Sequence, residues 1–151
     1  MAKLTLEKFL PYRLNRLAAL ISHDFRGVYG ANHDLTIPEW RVLATLGEFE
    51  EMTAKAIGKH SSMHKTKVSR AVQALEDRRW LTRTPSGTDR REEYLRLTAL
   101  GKQTYSDIVP RALAFEAKIL VELGGEGTAV LDLLSRLEIA ANSLPSERGD
   151  M

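Results

Sequence analysis

Cysteine is absent from this sequence of 151 residues. Its absence excludes a disulfide scaffold, thiolate-bound zinc, iron–sulfur clusters and a cysteine nucleophile. Long apolar runs are also absent, and no stretch approaches the roughly 18 consecutive apolar residues of a membrane-spanning helix. The N-terminal segment carries charges throughout and lacks the apolar centre of a signal peptide. We therefore expect a cytoplasmic protein with no membrane segment and no cofactor.

The net charge is small, at +2, but the two signs are unevenly distributed. Residues 59–91 hold nine basic and three acidic side chains, so this window is +6 and the remainder of the chain is −4. A basic centre within an acidic remainder is typical of a polyanion-binding module on a scaffold that does not bind. The alternative is an ordinary solvated basic face, and charge alone does not separate the two.

Helical periodicity dominates both ends of the chain. Apolar residues recur at spacings of three and four from Leu10 to Val28, which predicts one long N-terminal helix that ends where segment 30–34 breaks the pattern. After the hairpin described below, Thr98 is expected to cap a helix that runs to about Leu123 and bends at Pro110. Residues 129–141 then form a last amphipathic helix. These apolar stripes exceed what one small core needs, so a helical partner is expected.

The centre of the chain predicts a helix-turn-helix. A helix opening at Pro38, capped by Thr36 or Ile37, is expected to end at Gly47, and an acidic linker follows over 48–51. Thr53 is the expected N-cap of a short helix over 54–60. A three-residue turn over 61–63 then leads to a helix over 64–78 with apolar residues on its inner side and polar ones outside.

A β-hairpin follows this pair of helices. Residues 80–84 and 93–97 both alternate between apolar and polar side chains, which predicts two strands. The connection between them is too long for a two-residue turn, so it should project as a flap. A helix-turn-helix followed by such a hairpin is a winged helix. The predicted fold is therefore mainly α with a small β-hairpin wing.

The basic window falls on this helix over 64–78 and on the flap. The major groove of DNA admits one α-helix, whose outer side chains reach base edges. Arg70 would suit guanine and Gln73 adenine, although both could equally serve phosphates. A guanidinium on the flap would be attracted into a narrow minor groove, and Asp89 would either staple the hairpin or aim an arginine. The predicted DNA-binding residues are Ser62, His64, Lys65, Thr66, Lys67, Ser69, Arg70, Gln73, Arg83, Asp89, Arg90 and Arg91.

Three sequence blocks resemble the MarR family of transcriptional regulators. Segment 89–101 fits the family's wing pattern, D-x-R followed after five residues by L-T-x-x-G. Segment 35–40 looks like the family's L-T-x-x-[QE]-[WF] opening of its second helix, and 65–70 with Leu75 and Glu76 resembles its recognition helix. The similarity extends over about residues 9–144.

The sequence departs from the family pattern at the turn and at the end of the recognition helix. Arg79 stands where the family usually has glycine in left-handed geometry, so it must adopt that geometry at a cost or the helix must end differently. His64 replaces a common aspartate N-cap, so we expect Ser62 to cap instead. Ser61 replaces a usual apolar residue, which suggests a looser turn.

The resemblance implies a homodimer whose N-terminal helix and last two helices interlock between subunits. It implies a repressor that binds double-stranded DNA at a pseudo-palindrome and is released by a small anionic aromatic compound or an aromatic acyl-CoA thioester. The alternative is a constitutive winged-helix DNA-binding protein without an effector. In both cases we expect a regulator and no enzyme, with dimerisation segments 1–34 and 98–144, a DNA-binding domain over 35–97 and a tail over 145–151.

The implied effector pocket lies between the dimerisation helices and the winged helix. An arginine beside aromatic and aliphatic groups would suit a carboxylate attached to a ring. The candidate residues are Arg13, Asn15, Arg16, His23, Trp40 and Arg41. Arg13 and Arg16 could instead form ion pairs at the dimer rim, and Trp40 could be core. His60 and His64 have metal-ligand spacing, but no third ligand lies nearby in the sequence, so we expect no metal.

Overall fold

The computed structural model describes residues 1–87 and 91–145, with the backbone only at Ala31. Residues 146–151 of the predicted tail lie outside the described residues. The fold is mainly helical with one small antiparallel sheet, which confirms the predicted class. The chain divides into two compact units, residues 1–112 and 113–151. The functional division into dimerisation and DNA-binding segments stays a prediction.

The first unit contains four complete helices and the start of a fifth. A 3-10 turn over Leu6–Lys8 precedes them. The helices are α1 (Leu10–His33), α2 (Ile37–Phe49), α3 (Ala54–Ser61), α4 (Lys65–Asp77) and α5 (Ala99–Glu122), and α5 continues into the second unit. Thr36 caps α2 through a capping box, because its hydroxyl accepts from the Glu39 N–H and the Glu39 carboxylate accepts from the Thr36 N–H. The two predicted caps at Thr53 and Thr98 are confirmed, since their hydroxyls accept from the N–H groups of Ala56 and Gly101.

The predicted end of the first helix is confirmed, since α1 ends within segment 30–34, whereas α2 continues past the glycine predicted to end it. α1 runs past Gly30 to His33 and ends because Asp34 takes left-handed geometry at φ 50°. α2 runs past Gly47 to Phe49 and ends at Glu50, which has φ 66°. The ring of Tyr105 lies so close to Gly47 that a Cβ there would stand 2.6 Å from it. Gly47 therefore provides room for an aromatic ring, and the end of α2 predicted at Gly47 is wrong.

The sheet contains one strand more than the predicted hairpin. Its strands are β1 (Glu51–Thr53), β2 (Leu81–Pro85) and β3 (Glu93–Leu97), in the order β1-β3-β2 and all antiparallel. The predicted pairing of β2 with β3 is confirmed. The predicted acidic linker is wrong, because residues 48 and 49 are helical and β1 pairs with the other edge of β3. An ion pair between Glu51 and Arg96 joins these two strands.

The core of the first unit lies beneath α4 and the sheet. Its fully buried side chains come from α1, α2, α3, α4, β2, β3 and α5, and they include Tyr29, Val42, Leu43, Leu46, Ile57, Val72, Leu75, Leu81, Leu95 and Ile108. Because α4 contributes Val68, Ala71, Val72 and Leu75 to this core, its opposite face is presented to solvent. Packing of the predicted inner face therefore fixes which side chains of α4 are available for binding.

The second unit consists of the last part of α5, a 3-10 turn over Gly124–Glu126 and α6 (Gly127–Ser143). Gly124 has φ 63°, a conformation that suits glycine at the end of α5. No residue of α6 is buried within the chain, although the helix carries a run of large apolar residues. Those exposed above 40% include Leu131, Leu133, Leu134 and Ile139. An amphipathic helix without a buried face requires another surface to cover it.

Candidate nucleic-acid interface

The turn between α3 and α4 sets where the candidate recognition helix begins. Ser62 takes left-handed geometry at φ 53° as the C-cap of α3. His64 is the N-cap of α4, and its Nδ1 accepts from the N–H of Thr66 at 3.3 Å. The expectation that Ser62 would cap α4 is therefore wrong, because its backbone is used to end α3. Since Nδ1 accepts, a neutral His64 carries its proton on Nε2.

The outer face of α4 presents the predicted contact residues to solvent. Its exposed side chains are those of Lys65, Thr66, Lys67, Ser69, Arg70 and Gln73, while the inner four are buried. Four of the six lie within the first five residues of the helix, and each of these four carries a positive charge or a hydroxyl. The N–H groups of this first turn add a partial positive charge at the same end. The face can therefore accept an anionic backbone at its N-terminal end.

The C-terminal end of α4 is closed by a Schellman motif. The Trp80 N–H donates to the Leu75 carbonyl at 3.0 Å and the Arg79 N–H donates to the Glu76 carbonyl at 2.9 Å. Arg79 stands at the left-handed position with φ 63°, so it takes the geometry that glycine usually supplies there. The Thr98 hydroxyl donates to the Arg79 carbonyl at 2.6 Å and holds the turn against the start of α5.

The wing is formed by β2, β3 and their connection. The Ser86 N–H donates to the Glu92 carbonyl at 3.0 Å and closes the base of the loop. Arg91 is exposed at that base. Asp89 and Arg90, two of the predicted contact residues, lie outside the described residues. A groove of about 820 Å³ runs between α3, α4 and the wing, and cationic side chains from all three line it: Lys55, Lys59, Lys65, Arg83 and Arg91.

Two arginines of the basic window form hydrogen bonds or ion pairs with other groups of the protein. Arg78 donates to the carbonyls of His33 and Asp34, where α1 ends, and its guanidinium lies 4.8 Å from the centre of the Trp80 ring. Arg83 forms ion pairs with Glu76 at 2.9 Å and with Glu93 at 3.4 Å. Part of the positive charge counted from the sequence therefore has a structural use.

Gln73 is also engaged within the protein. Its Nε2 donates to the Asp77 carboxylate at 2.9 Å, and its Oε1 accepts from Arg83 Nη2 at 3.2 Å. The structure thus brings Gln73 and Arg83, two predicted DNA contacts, into one network between α4 and the wing. Sequence reasoning missed this network, because it joins separate elements and no pattern within one segment contains all of its members.

The candidate effector residues fall into two groups. Arg13, Asn15, Arg16 and His23 are exposed along α1, and the Arg16 guanidinium lies 5.3 Å from the centre of the Tyr12 ring. Trp40 and Arg41 lie on α2, where they line a cavity of about 310 Å³ together with Ala44, Thr45, Glu48, His60 and Ser61. His60 was not among the predicted effector residues, since only its proximity in space connects it to them.

Trp40 belongs to an aromatic cluster that joins α1 to α2. Its ring stacks on Tyr29 with centroids 5.5 Å apart and meets Phe25 edge-on at 5.4 Å. Burial raises the pKa of Tyr29 above its usual value near 10. On the neighbouring turn, Arg41 Nη2 donates to the Ser22 hydroxyl at 3.5 Å. Trp40 is thus half-buried in the core and also borders the cavity.

The described part of the chain holds no group of three histidine, cysteine or carboxylate side chains that could bind a metal. His60 instead packs its ring edge-on against Phe49 at 5.0 Å. Over the same residues, none of the helices has the length and apolar character needed to cross a membrane.

Helices α3 and α4, the tight turn between them and the three-stranded sheet that follows define a winged helix-turn-helix module. Residues 33–92, which contain most of this module, match the sequence profile of the MarR family. The chain is 26% identical over 136 residues to the uncharacterized HTH-type transcriptional regulator YwoH of Bacillus subtilis (strain 168), covering 86% of this chain and 93% of YwoH.

Solved structures agree with this match. The MarR family transcriptional regulator SPO1453 from Silicibacter pomeroyi DSS-3 superposes with a TM-score of 0.76 at 26% identity, covering 91% of this chain and 99% of its own. BpsR of Bordetella bronchiseptica, whose DNA binding is regulated by 6-hydroxynicotinic acid, superposes with a TM-score of 0.78 at 19% identity, covering 91% and 98%. Residues 33–92 therefore carry a domain of the MarR family, whose members are DNA-binding transcriptional regulators.

Proposed function

We propose that this regulator binds a pseudo-palindromic operator as a homodimer and is released by a small aromatic acid. The observation that carries the DNA-binding half of the proposal is the outward face of α4, where cations and hydroxyls cluster in the first turns beside free N–H groups. A helix with this face fits the major groove, where its side chains reach phosphates and base edges.

The contacts divide between helix and wing. Lys65, Lys67 and Arg70 are the cations on the exposed face of α4, with Thr66 and Ser69 between them as hydroxyl donors. Arg91 stands exposed at the base of the wing, which the proposal places over the adjacent minor groove. The groove between α3, α4 and the wing continues this cationic surface with Lys55 and Lys59.

The proposed homodimer is supported by exposed apolar surface in each of the two units. Along α1, Leu10, Leu14, Leu17 and Leu20 are each 39% to 56% exposed, and they lie on one side of the helix. In the second unit, α6 buries none of its leucines. Contiguous apolar surface of this kind marks an interaction site. A two-fold symmetric dimer would place its recognition helices about 34 Å apart, one turn of DNA.

The cavity beside Trp40 is the proposed effector site. Its volume of about 310 Å³ suits a single ring with a carboxylate. Arg41 would pair with the carboxylate, and the half-buried indole of Trp40 would pack against the ring. Regulation of BpsR by 6-hydroxynicotinic acid supports this ligand class. An aromatic acyl-CoA thioester would place only its acyl ring here, with the nucleotide outside.

The proposed mechanism is a population shift. An effector that binds one arrangement of the dimer more tightly favours it, and release follows if that arrangement misaligns the recognition helices with the two half-sites. The second candidate function is constitutive DNA binding without an effector. It is favoured by the packing of Trp40 on Phe25 and Tyr29, because that packing gives the indole a purely structural role.

The DNA interface is tested by fluorescence anisotropy on duplexes from the chain's own upstream region, titrated with KCl. Lys67→Ala and Arg91→Ala should each weaken binding. Removing one phosphate contact should lower the slope of log affinity against log salt by about 0.9 per protomer. Lys102→Ala removes an exposed cation of α5 and is the matched control, expected to leave the slope unchanged. If Arg91→Ala binds like the unmodified chain, the assignment of the wing is wrong.

The effector is tested by thermal shift against a panel of aromatic acids and their CoA thioesters. A ligand at about one hundred times its dissociation constant should stabilise the dimer by about 2.7 kcal/mol, and Arg41→Ala should abolish the shift. A flat response across the panel would favour the constitutive regulator.

A further inference from the structure

Five polar side chains connect the second half of α4 to the two wing strands. Arg83 of β2 is at the centre, with Glu76 and Gln73 of α4 on one side and Glu93 of β3 on the other. Asp77 completes the set through its bond from Gln73. We call these five side chains the wing bracket. Arg83 donates to three different partners through Nε, Nη1 and Nη2, at 2.9, 3.4 and 3.2 Å respectively.

The charge of the wing bracket is unsuited to a phosphate contact. One arginine stands among three carboxylates, so the cluster is net −2 at neutral pH. Its members are partly exposed, with the Arg83 side chain at 32% and those of Glu76 and Glu93 at 36% and 44%. Exposed ion pairs contribute little to stability, because water screens the charges and ordering two long side chains costs entropy. The cluster is therefore better explained by the geometry it imposes than by the stability it adds.

The wing bracket also fixes the side chain of Gln73 by hydrogen bonds. A glutamine that reads adenine uses its Nε2 as a donor and its Oε1 as an acceptor at the same time. Here Nε2 donates to Asp77 and Oε1 accepts from Arg83, so both ends of the amide are bonded within the protein and its orientation is fixed. The three cations on the outer face of α4 all lie N-terminal to Gln73, at residues 65, 67 and 70.

We propose that Arg83 is a positioning residue, which holds the wing against α4 and keeps Gln73 away from base edges, so that only the N-terminal half of α4 reads DNA. The inference rests on the DNA interface proposed above. It removes Arg83 and Gln73 from the contact surface that their residue types suggest. It also means that Arg83 affects DNA affinity indirectly, by setting the position of the wing relative to α4. Direct contact between Arg83 and a phosphate is the competing outcome of the test.

The test uses the full-length dimer and an operator duplex obtained by selection from a random library. In an Arg91→Ala background, where the proposed contact of the wing is already absent, Arg83→Ala should leave the salt slope unchanged, whereas Lys67→Ala should lower it by about 0.9 per protomer. Hydroxyl-radical protection in the minor groove that the wing covers should weaken in Arg83→Ala, while methylation protection of guanine N7 in the major groove is retained. Equal reductions of slope in Arg83→Ala and Lys67→Ala would overturn the inference. An unchanged slope in both would instead count against the proposed interface.

Glu76→Ala separates the two roles, because it removes the nearest partner of Arg83 and keeps the arginine's charge. The wing bracket predicts weaker minor-groove protection in Glu76→Ala, as in Arg83→Ala. A direct phosphate contact predicts the reverse, since freeing Arg83 and removing an anion would raise affinity and slope. Gln73→Ala should select the same operator sequence as the unmodified chain. If the operator selected by Gln73→Ala has lost an adenine preference in each half-site, the inference that Gln73 does not contact bases would be overturned. Cooperative thermal unfolding of each variant checks that it folds.

Discussion

Arg79 offers a direct measure of what the left-handed turn after α4 costs. The residue has φ 63°, and its conformation is enforced by the Schellman bonds and by the bond from Thr98 to its carbonyl. Left-handed geometry costs an L-residue about 1–2 kcal/mol. Glycine avoids that cost but loses more conformational entropy on folding, by roughly 0.5–1 kcal/mol. Arg79→Gly should therefore stabilise the fold by about 1 kcal/mol.

For a chain of this size, a change of about 1 kcal/mol shifts the unfolding midpoint by roughly 2–4 °C. The assay is thermal unfolding followed by circular dichroism, with all variants at one protein concentration because dimer stability depends on it. Arg79→Ala is the matched control, since it removes the side chain and keeps the backbone cost. The reasoning is refuted if Arg79→Gly and Arg79→Ala have the same midpoint, because the gain would then not come from the backbone.

Three further substitutions test local packing and titration. Gly101→Ala should destabilise by about 1–3 kcal/mol, because the new Cβ would stand 2.1 Å from the Trp80 carbonyl oxygen, while Gly87→Ala, which meets nothing within 4 Å, should change the midpoint little. Thr36→Ala should cost about 1 kcal/mol by removing the capping box, and an unchanged denaturant midpoint would contradict this. Burial raises the pKa of Tyr29, so the free energy that its neutral hydroxyl contributes to folding is complete below about pH 10 and is lost as the pH rises above that value. The free energy of unfolding should therefore fall less steeply from about pH 9 to about pH 11 in Tyr29→Phe than in the unmodified chain.

Local sequence rules predict the elements that local bonds determine. Thr53 and Thr98 are recognisable as caps because a hydroxyl three residues before the bonded N–H is a short-range pattern, and β3 has the bounds that alternation predicts. The same rules fail at Gly47, where glycine is taken as a helix end. At Gly47 the cause is long-range, because the ring of Tyr105 is distant in sequence and needs the space.

In the candidate site, too, local patterns predict some features, and contacts between distant segments decide the others. Periodicity alone predicts the inner and outer faces of α4, because burial of four apolar side chains decides both. It cannot predict which outer side chains are already bonded. Gln73 and Arg83 have the residue types of base and phosphate contacts, and only the fold brings Glu76 and Glu93 beside Arg83. Partners on another element decide whether such a side chain is available, and no single-segment pattern contains them.

These bonds show that part of the basic charge counted from the sequence is used within the protein. Nine cations fall within residues 59–91, but Arg78 is bound to the end of α1 and Arg83 lies among carboxylates. On the first turns of α4, the side chains of Lys65, Lys67 and Arg70 are exposed. Because counterion release counts only cations that reach phosphates, the salt dependence of DNA binding should reflect this smaller set. If α4 enters the major groove as proposed, the acidic second half should help to set the register of the helix, since phosphates would be attracted to one end of it and repelled from the other.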